Sequence, residues 1–342
     1  MYEHWHPLFR QASTILTTRI VGSTAKSAAI GIAQTVFPAS RPNAVLLTRP
    51  DCYPVALGAT RLMHHPFAAV MLFTEGERLE EDVSRELLRL SPLGRGLPAQ
   101  VIVIGAMHAN VLHDVAALGF TVWHLLGQDL ADTLGKIAEC EGVLEGSHAL
   151  LVSVDPKGGG VAAGSFAAAS GIPILFASER GLSEMAVRFL HQRPRTKLIV
   201  VAPARYLSGT VEREVRRLGA KIDGWVAGRD GYETSVEFAK LHQGGRKSGF
   251  GKKLAESGAI AVVPAELWPI GTASAALSRR GRLTPLLLTR ADRLPPPVEE
   301  HLIGWQARKR GRRVHGFVVG GYEVIHHQVQ IALHRAIASD DI

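Results

Sequence analysis

The sequence predicts an α/β chain of three tandem αβα units, each built on a parallel sheet with helices on both faces. Three observations carry that expectation. A glycine, a polar turn and an apolar helix face closing on alanine recur from Gly22 to Ala33, from Gly127 to Ala138 and from Gly228 to Ala239, with the same span each time. Each opening is followed by a short, continuous apolar run, the pattern of a parallel strand buried on both faces. Strands and helices then alternate in one order in all three stretches, which calls for right-handed crossovers. The units are expected at residues 18–124, 125–225 and 226–338.

The elements follow in order. The first strand reads Ala44-Val-Leu-Leu-Thr48, Ala149-Leu-Leu-Val-Ser153 and Ala259-Ile-Ala-Val-Val263. A helix of small residues comes next, over 54–63, 161–170 and 269–277. In the middle unit Ala162, Ala163, Gly164, Ala167, Ala168 and Ala169 fill little volume, so this helix lies close to a neighbour, either another unit or its own sheet. A second strand is expected over 69–73, 172–176 and 285–288, and a third over 100–104, 197–201 and 314–319. A further helix starts near Val111, Ser208 and Tyr322. Leu118-Gly119 and Leu218-Gly219 read as left-handed helix caps. The glycine- and charge-rich stretch 243–253 reads as an exposed loop inserted in the third unit.

A chain of 342 residues exceeds one ordinary core. Hydrophobic residues at 46% and charged residues at 20% exclude a disordered chain. The net charge of +8 favours acidic partners. No apolar run reaches the ~18 residues that would span a bilayer, so no membrane insertion is expected. Cys52 and Cys140 are far apart and lack metal-ligand spacing, so they read as small buried hydrophobes. The opening Met1-to-Arg10 stretch shows no basic, apolar and small-residue succession of a signal peptide, which on its own points to the cytoplasm.

Motifs with chemistry are few. The basic loop fails as a phosphate-binding P-loop, because the required first glycine falls on Arg246. Gly158-Gly-Gly160 follows a strand, opens a helix and has Glu179 downstream, as a dinucleotide fingerprint requires. This supports an alternative reading as a cytoplasmic nucleotide or nucleotide-sugar binding enzyme, although the aligned turns Asp51-Cys-Tyr-Pro54 and Glu266-Leu-Trp-Pro269 lack the glycines. His64-His65 and His326-His327 diverge on a helix and do not share a metal. No cofactor, metal site or catalytic residue is expected.

Several segments resemble the cell wall binding repeat 2 family of Gram-positive bacteria. Gly228-Arg-Asp-Gly-Tyr-Glu-Thr-Ser-Val-Glu-Phe-Ala239 is similar to the family's opening segment, and Asp51-Cys-Tyr-Pro-Val-Ala-Leu-Gly-Ala59 to its Asp-Asn-Phe-Pro turn and helix. Pro173-Ile-Leu-Phe176 and Pro285-Leu-Leu-Leu288 resemble its Pro-Ile-Leu-Leu strand, and Val318-Val-Gly-Gly321 and Val103-Ile-Gly-Ala106 its Ile-Val-Gly-Gly strand end. The resemblance spans about residues 18–338. It implies Toprim-like or Rossmann-like subdomains in a pseudo-threefold arrangement and no catalytic role. It further implies a cell wall or surface location and non-covalent binding to an anionic secondary wall polysaccharide. A self-assembling structural protein on the same fold is a further alternative, and the sequence leaves room for a homo-oligomer. No specific nucleic acid partner is expected.

The resemblance assigns polymer binding to Pro173, Ile174 and Leu175 and to Pro285, Leu286 and Leu287. Fixed cations at strand ends complete the expected site: Arg19, Arg49 and Arg61 in the first unit, Lys157 and Arg180 in the second, Arg229, Arg290 and Arg293 in the third. A guanidinium suits this role because its planar fork pairs two anionic oxygens at once.

Overall fold

The computed structural model describes residues 11–13, 16–140, 148–207, 209–240, 258–278, 283–308 and 314–338, and the expected loop 243–253 lies outside them. The chain enters as a short antiparallel pair, β1 (Gln11–Ser13) and β2 (Thr17–Ile20). Helix α1 (Ala25–Val36) leads to β3 (Val45–Thr48), α2 (Tyr53–Ala59), β4 (Val70–Phe73), α3 (Glu81–Leu90), β5 (Val101–Ile104), α4 (Ala109–Ala117) and β6 (Val122–Leu125). The middle of the chain repeats this succession. It runs α5 (Leu130–Glu139), β7 (His148–Ser153), α6 (Val161–Ser170), β8 (Ile174–Ser178), β9 (Gly181–Leu182), α7 (Glu184–Gln192), β10 (Lys197–Val201), α8 (Gly209–Arg217) and β11 (Lys221–Val226). The last third holds α9 (Gly231–Lys240), β12 (Ala259–Pro264), β13 (Leu286–Thr289) and β14 (His315–Val319). Between these strands lie the helices Trp268–Ser274 and Pro296–Arg308, and His327–Ile337 follows β14.

These strands form three sheets among the described residues: β4-β3-β5-β6, β9-β8-β7-β10-β11 and β13-β12-β14-β2-β1. The strands following the small-residue turns, β4, β8 and β13, flank β3, β7 and β12 on one side, and β5, β10 and β14 flank them on the other. All these pairings are parallel. Their apolar runs are buried throughout, as in β3, β4, β5 and β12.

A fourth strand in each sheet escapes the sequence reading. β6 and β11, each just ahead of an opening glycine, join the sheets of β5 and β10. The equivalent β2 joins β14, with Gly316 opposite Thr17 and Val319 opposite Ile20. The segment at the head of the first expected unit is therefore hydrogen-bonded into the last sheet, and the chain closes on itself. β11 reads Lys-Ile-Asp-Gly-Trp-Val and alternates between exposed and buried, because one face of an edge strand meets water. That is why no continuous apolar run announces it.

The opening glycines have one structural cause. A Cβ on Gly22 would lie 2.3 Å from the Ala28 nitrogen, on Gly127 2.4 Å from that of Thr133, and on Gly228 2.5 Å from that of Thr234. In each case the chain crosses the first turn of the following helix, and only glycine admits that approach. Two openings also share their hydrogen bonds. Gly127 N donates to Thr133 Oγ1 at 2.9 Å and Gly228 N to Thr234 Oγ1 at 3.0 Å, while Asp129 and Asp230 cap the helices by accepting from Asp132 N and Glu233 N.

The small-residue helices meet at the centre. Helix α6 packs against both the 3₁₀ turn Thr60–Met63 that ends α2 and the turn Ala275–Ser278 that ends the third such helix. Every residue from Val161 to Ala168 is buried. A Cβ on Gly164 would touch Leu57 at 3.1 Å, and one on Gly271 would strike Val161 at 2.3 Å. Side-chain volume is low here because backbones from three parts of the chain pack against one another at this centre. Around it, α2 packs on α5, α6 on α9, and Trp268–Ser274 on α1. The final helix starts at His327 rather than near Tyr322. Gly320, at φ 137, and the turn after it spend their carbonyls on a buried arginine instead.

Candidate functional site

Two of the expected surface cations are interior. Arg19 has no exposed surface. Its Nη1 donates to the carbonyls of Gly320 at 2.9 Å and Ile325 at 2.7 Å, its Nε donates to Gln330 Oε1 at 3.0 Å, and Tyr322 lies over the guanidinium at 4.4 Å. Arg61 is equally buried. Its Nε donates to Gly171 O at 3.1 Å and its Nη1 to Ile137 O at 2.7 Å. Gly171 caps α6, and Ile137 belongs to the last turn of α5. Arg61 therefore takes the negative ends of two helices, where a cation is stabilised by the helix dipole. Burial holds its pKa down, to about 10. Both arginines staple the fold and are removed from the expected polymer site.

The Pro-Ile-Leu segments are corrected in the same way. Pro173, Ile174 and Leu175 are buried at the start of β8, and Pro285, Leu286 and Leu287 at the start of β13. β8 is flanked on both sides, by β7 and β9, and the outer side of β13 receives α9, whose Ser235 Oγ accepts from Leu288 N at 3.1 Å. Parallel strands buried on both faces offer no side chain to a polymer.

The glycine turn packs against protein. A Cβ on Gly159 would lie 2.9 Å from Gly231 O, and one on Gly160 would lie 2.7 Å from the Tyr53 hydroxyl. These glycines let α9 and Tyr53 approach closely, so contacts within the protein account for glycine at 159 and 160. Tyr53 packs edge-on to Trp268 at 5.2 Å and Phe176 at 6.5 Å. Its buried hydroxyl lacks a hydrogen-bond partner among the described residues, and burial, then the charge of Asp155, raises its pKa.

The other expected cations lie at the surface. Arg49 forks onto Asp51 at 2.6 Å, and Arg229 pairs with Glu233 at 3.0 Å, so each is neutralised locally. Arg290 and Arg293 share the single carboxylate of Asp292, at 3.6 and 3.0 Å. Lys157 and Arg180 are exposed without an ion pair among the described residues. Lys157 lies at the turn that Gly231 approaches, and Arg290 acts electrostatically on the neighbouring Tyr232. Lys157 and Arg290 thus both lie toward the start of α9, and Arg293 follows Arg290 beyond the end of β13.

Two grooves beside edge strands went unread in the sequence. One, of about 600 Å³, runs along β6 and is lined by Phe67, Leu97, Trp123, Leu126, Lys136 and Cys140. The other, of about 480 Å³, lies between α8 and β11 and is lined by Glu212, Val215, Arg216, Lys221, Asp223 and Trp225. The basic runs Arg193-Pro-Arg195-Thr-Lys197 and Arg216-Arg217 were the available signal for the second. They precede their strand or end their helix, whereas the expected cations follow strands.

No helix among the described residues is long and apolar enough to cross a membrane. No family model matches the chain. A stretch of 196 residues, 56% of the chain, is 21% identical to N-acetylmuramoyl-L-alanine amidase LytC of Bacillus subtilis (strain 168) and spans 37% of that protein. Two solved structures, Cwp6 and Cwp8 from Clostridium difficile, each superpose on 95% of this chain with a TM-score of 0.72 and 16% identity. The chain covers 48% of the first and 52% of the second. It shares the fold of about half of each of those two proteins.

Proposed function

We propose that this chain is a non-catalytic module that anchors to the bacterial cell wall by binding an anionic secondary wall polysaccharide. The observation that carries this reading is the likeness of fold, over 95% of the chain, to the cell wall proteins Cwp6 and Cwp8. The amidase match, to an enzyme named for a muramoyl amide bond, supports the same setting. In this reading the three units at 18–124, 125–225 and 226–338 are pseudo-threefold, Toprim-like or Rossmann-like subdomains, with β2 lent to the last sheet. The polymer meets Lys157, Arg290 and Arg293, with Arg180 beyond the end of β8. The net charge of +8 serves the encounter.

The test is co-sedimentation with purified Gram-positive cell walls. Binding should weaken steeply with salt as the Debye length falls from ~10 Å at 0.1 M to ~3 Å at 1 M. Replacing Lys157, Arg290 and Arg293 by alanine should weaken it while leaving Tm unchanged, since all three are exposed. Absence of sedimentation at low salt, or binding that survives 1 M salt, overturns the proposal.

A further inference from the structure

We propose that the groove between α8 and β11 is a second binding site, for a glycan strand carrying carboxylate or phosphate groups. The inference deepens the wall-polysaccharide reading by adding a site remote in sequence from those three cations, and it rests on that reading for its biological setting.

Arg216 and Lys221 line the groove, and Arg195, Lys197 and Arg217 are further exposed cations at the same end of the sheet. Lys197 and Lys221 are direct register partners in the β10–β11 ladder. Arg195 N donates to Gly219 O at 3.0 Å, and Gly219 N donates to Arg216 O at 3.1 Å, which draws Arg195, Arg216 and the adjacent Arg217 to the same end of the sheet. None of the five forms an ion pair among the described residues. Like charges placed opposite each other in a ladder are unfavourable. Arg195 is moreover held at φ 79, a conformation that side-chain-bearing residues rarely adopt. The like-charged Lys197–Lys221 pair is a cost that a bound anion would relieve, while in the groove itself Arg216 and Lys221 stand beside Glu212 and Asp223.

The rest of the lining selects a sugar. Trp225 is 37% exposed and stands at the groove beside Arg216 and Lys221. An indole face accepts the C–H face of a pyranose, while the two cations take its anionic substituents. Glu212 and Asp223 line the same groove. They accept hydrogen bonds from sugar hydroxyls but repel a continuous phosphate backbone, so the lining favours a glycan with spaced charges over a nucleic acid. The counterpart edge of the first sheet has no such cluster: α4 carries no lysine or arginine, and Gln100 and Thr121 stand where the basic residues gather.

The experiment titrates the full chain with a hyaluronan octasaccharide as the carboxylated probe, following Trp fluorescence at low salt. Neutral chitohexaose and a short single-stranded DNA are the comparison probes. Saturable quenching by hyaluronan is expected, with chitohexaose and DNA binding at least about tenfold more weakly. Arg216→Ser with Lys221→Ser should weaken hyaluronan binding by about tenfold or more, and Trp225→Ala should abolish the quench. Both variants alter exposed side chains, and an unchanged Tm verifies their folding. Chitohexaose binding as tightly as hyaluronan, DNA binding more tightly, or indifference to either variant overturns the proposal. Wall sedimentation separates the two readings. If walls bind the wild type and the groove variants equally, the groove fails and wall binding stands. If hyaluronan binds through Trp225 but walls do not bind the chain, the groove stands and wall binding fails.

Discussion

The α4–β6 edge and the α8–β11 edge occupy the same place in their sheets, yet they use positive charge in opposite ways. Behind the first, Arg61 points inward and spends its guanidinium on the ends of α5 and α6, while the groove outside presents Phe67, Leu97, Trp123 and Leu126. At the second, Arg195, Lys197, Arg216, Arg217 and Lys221 all face solvent. The difference shows that the sign and place of a residue in a repeat do not settle its role. Burial does. An arginine surrounded by helix carbonyls is structural, and one beside water and an exposed tryptophan is available to a ligand.

The largest expected effect tests the inward half of this contrast. Arg61→Met should destabilise the fold by about 3 kcal/mol, because the carbonyls of Ile137 and Gly171 lose buried donors. Arg216→Met should change stability by no more than about 0.5 kcal/mol, as surface substitutions usually do. Chemical denaturation of both variants measures the gap, and equal losses would erase the distinction between the two edges.

A smaller effect concerns Cys140, which lines the β6 groove. Burial pushes its thiol up from 9.0 to about 11, with Arg61 opposing weakly. The folded chain therefore retains a proton that the unfolded chain releases, and stability falls as pH rises from the unfolded value toward the folded one. Between pH 9 and 10 the loss should be about 1 kcal/mol, and Cys140→Ala should flatten it. Arg61, depressed to about 10, contributes in the opposite sense, offsetting about 0.3 kcal/mol of this loss by pH 10 and more above it. A wild-type denaturation midpoint that does not move over this interval would contradict the burial of the thiol.

The smallest effect sharpens the outward half. Lys221→Thr removes one member of the Lys197–Lys221 ladder pair and should raise stability by a few tenths of a kcal/mol, about 0.3 at low salt. The gain should vanish at 1 M salt, where screening already separates the charges. A loss of stability would mean that the lysine stem is packed rather than merely charged.

The sequence by itself determined the alternation of strands and helices, the apolar cores of the sheets and the recurrence of the openings. Those properties are local: a buried parallel strand must be continuously apolar, and a chain crossing the first turn of a helix must be glycine, as at Gly22, Gly127 and Gly228. Only the tertiary structure decided that β2 completes the last sheet, because strand pairing across most of the chain leaves no mark on either segment alone. It also decided which arginines face water. Arg19 and Arg61 read in the sequence as Arg49 and Arg290 do, and only the carbonyls converging from Gly320, Ile325, Ile137 and Gly171 make them internal. The glycines at 158–160 likewise read as a phosphate cradle, and only the tertiary structure sets Tyr53 and Gly231 against them. Burial and vacancy are properties of neighbours distant in sequence, so composition and spacing cannot fix them.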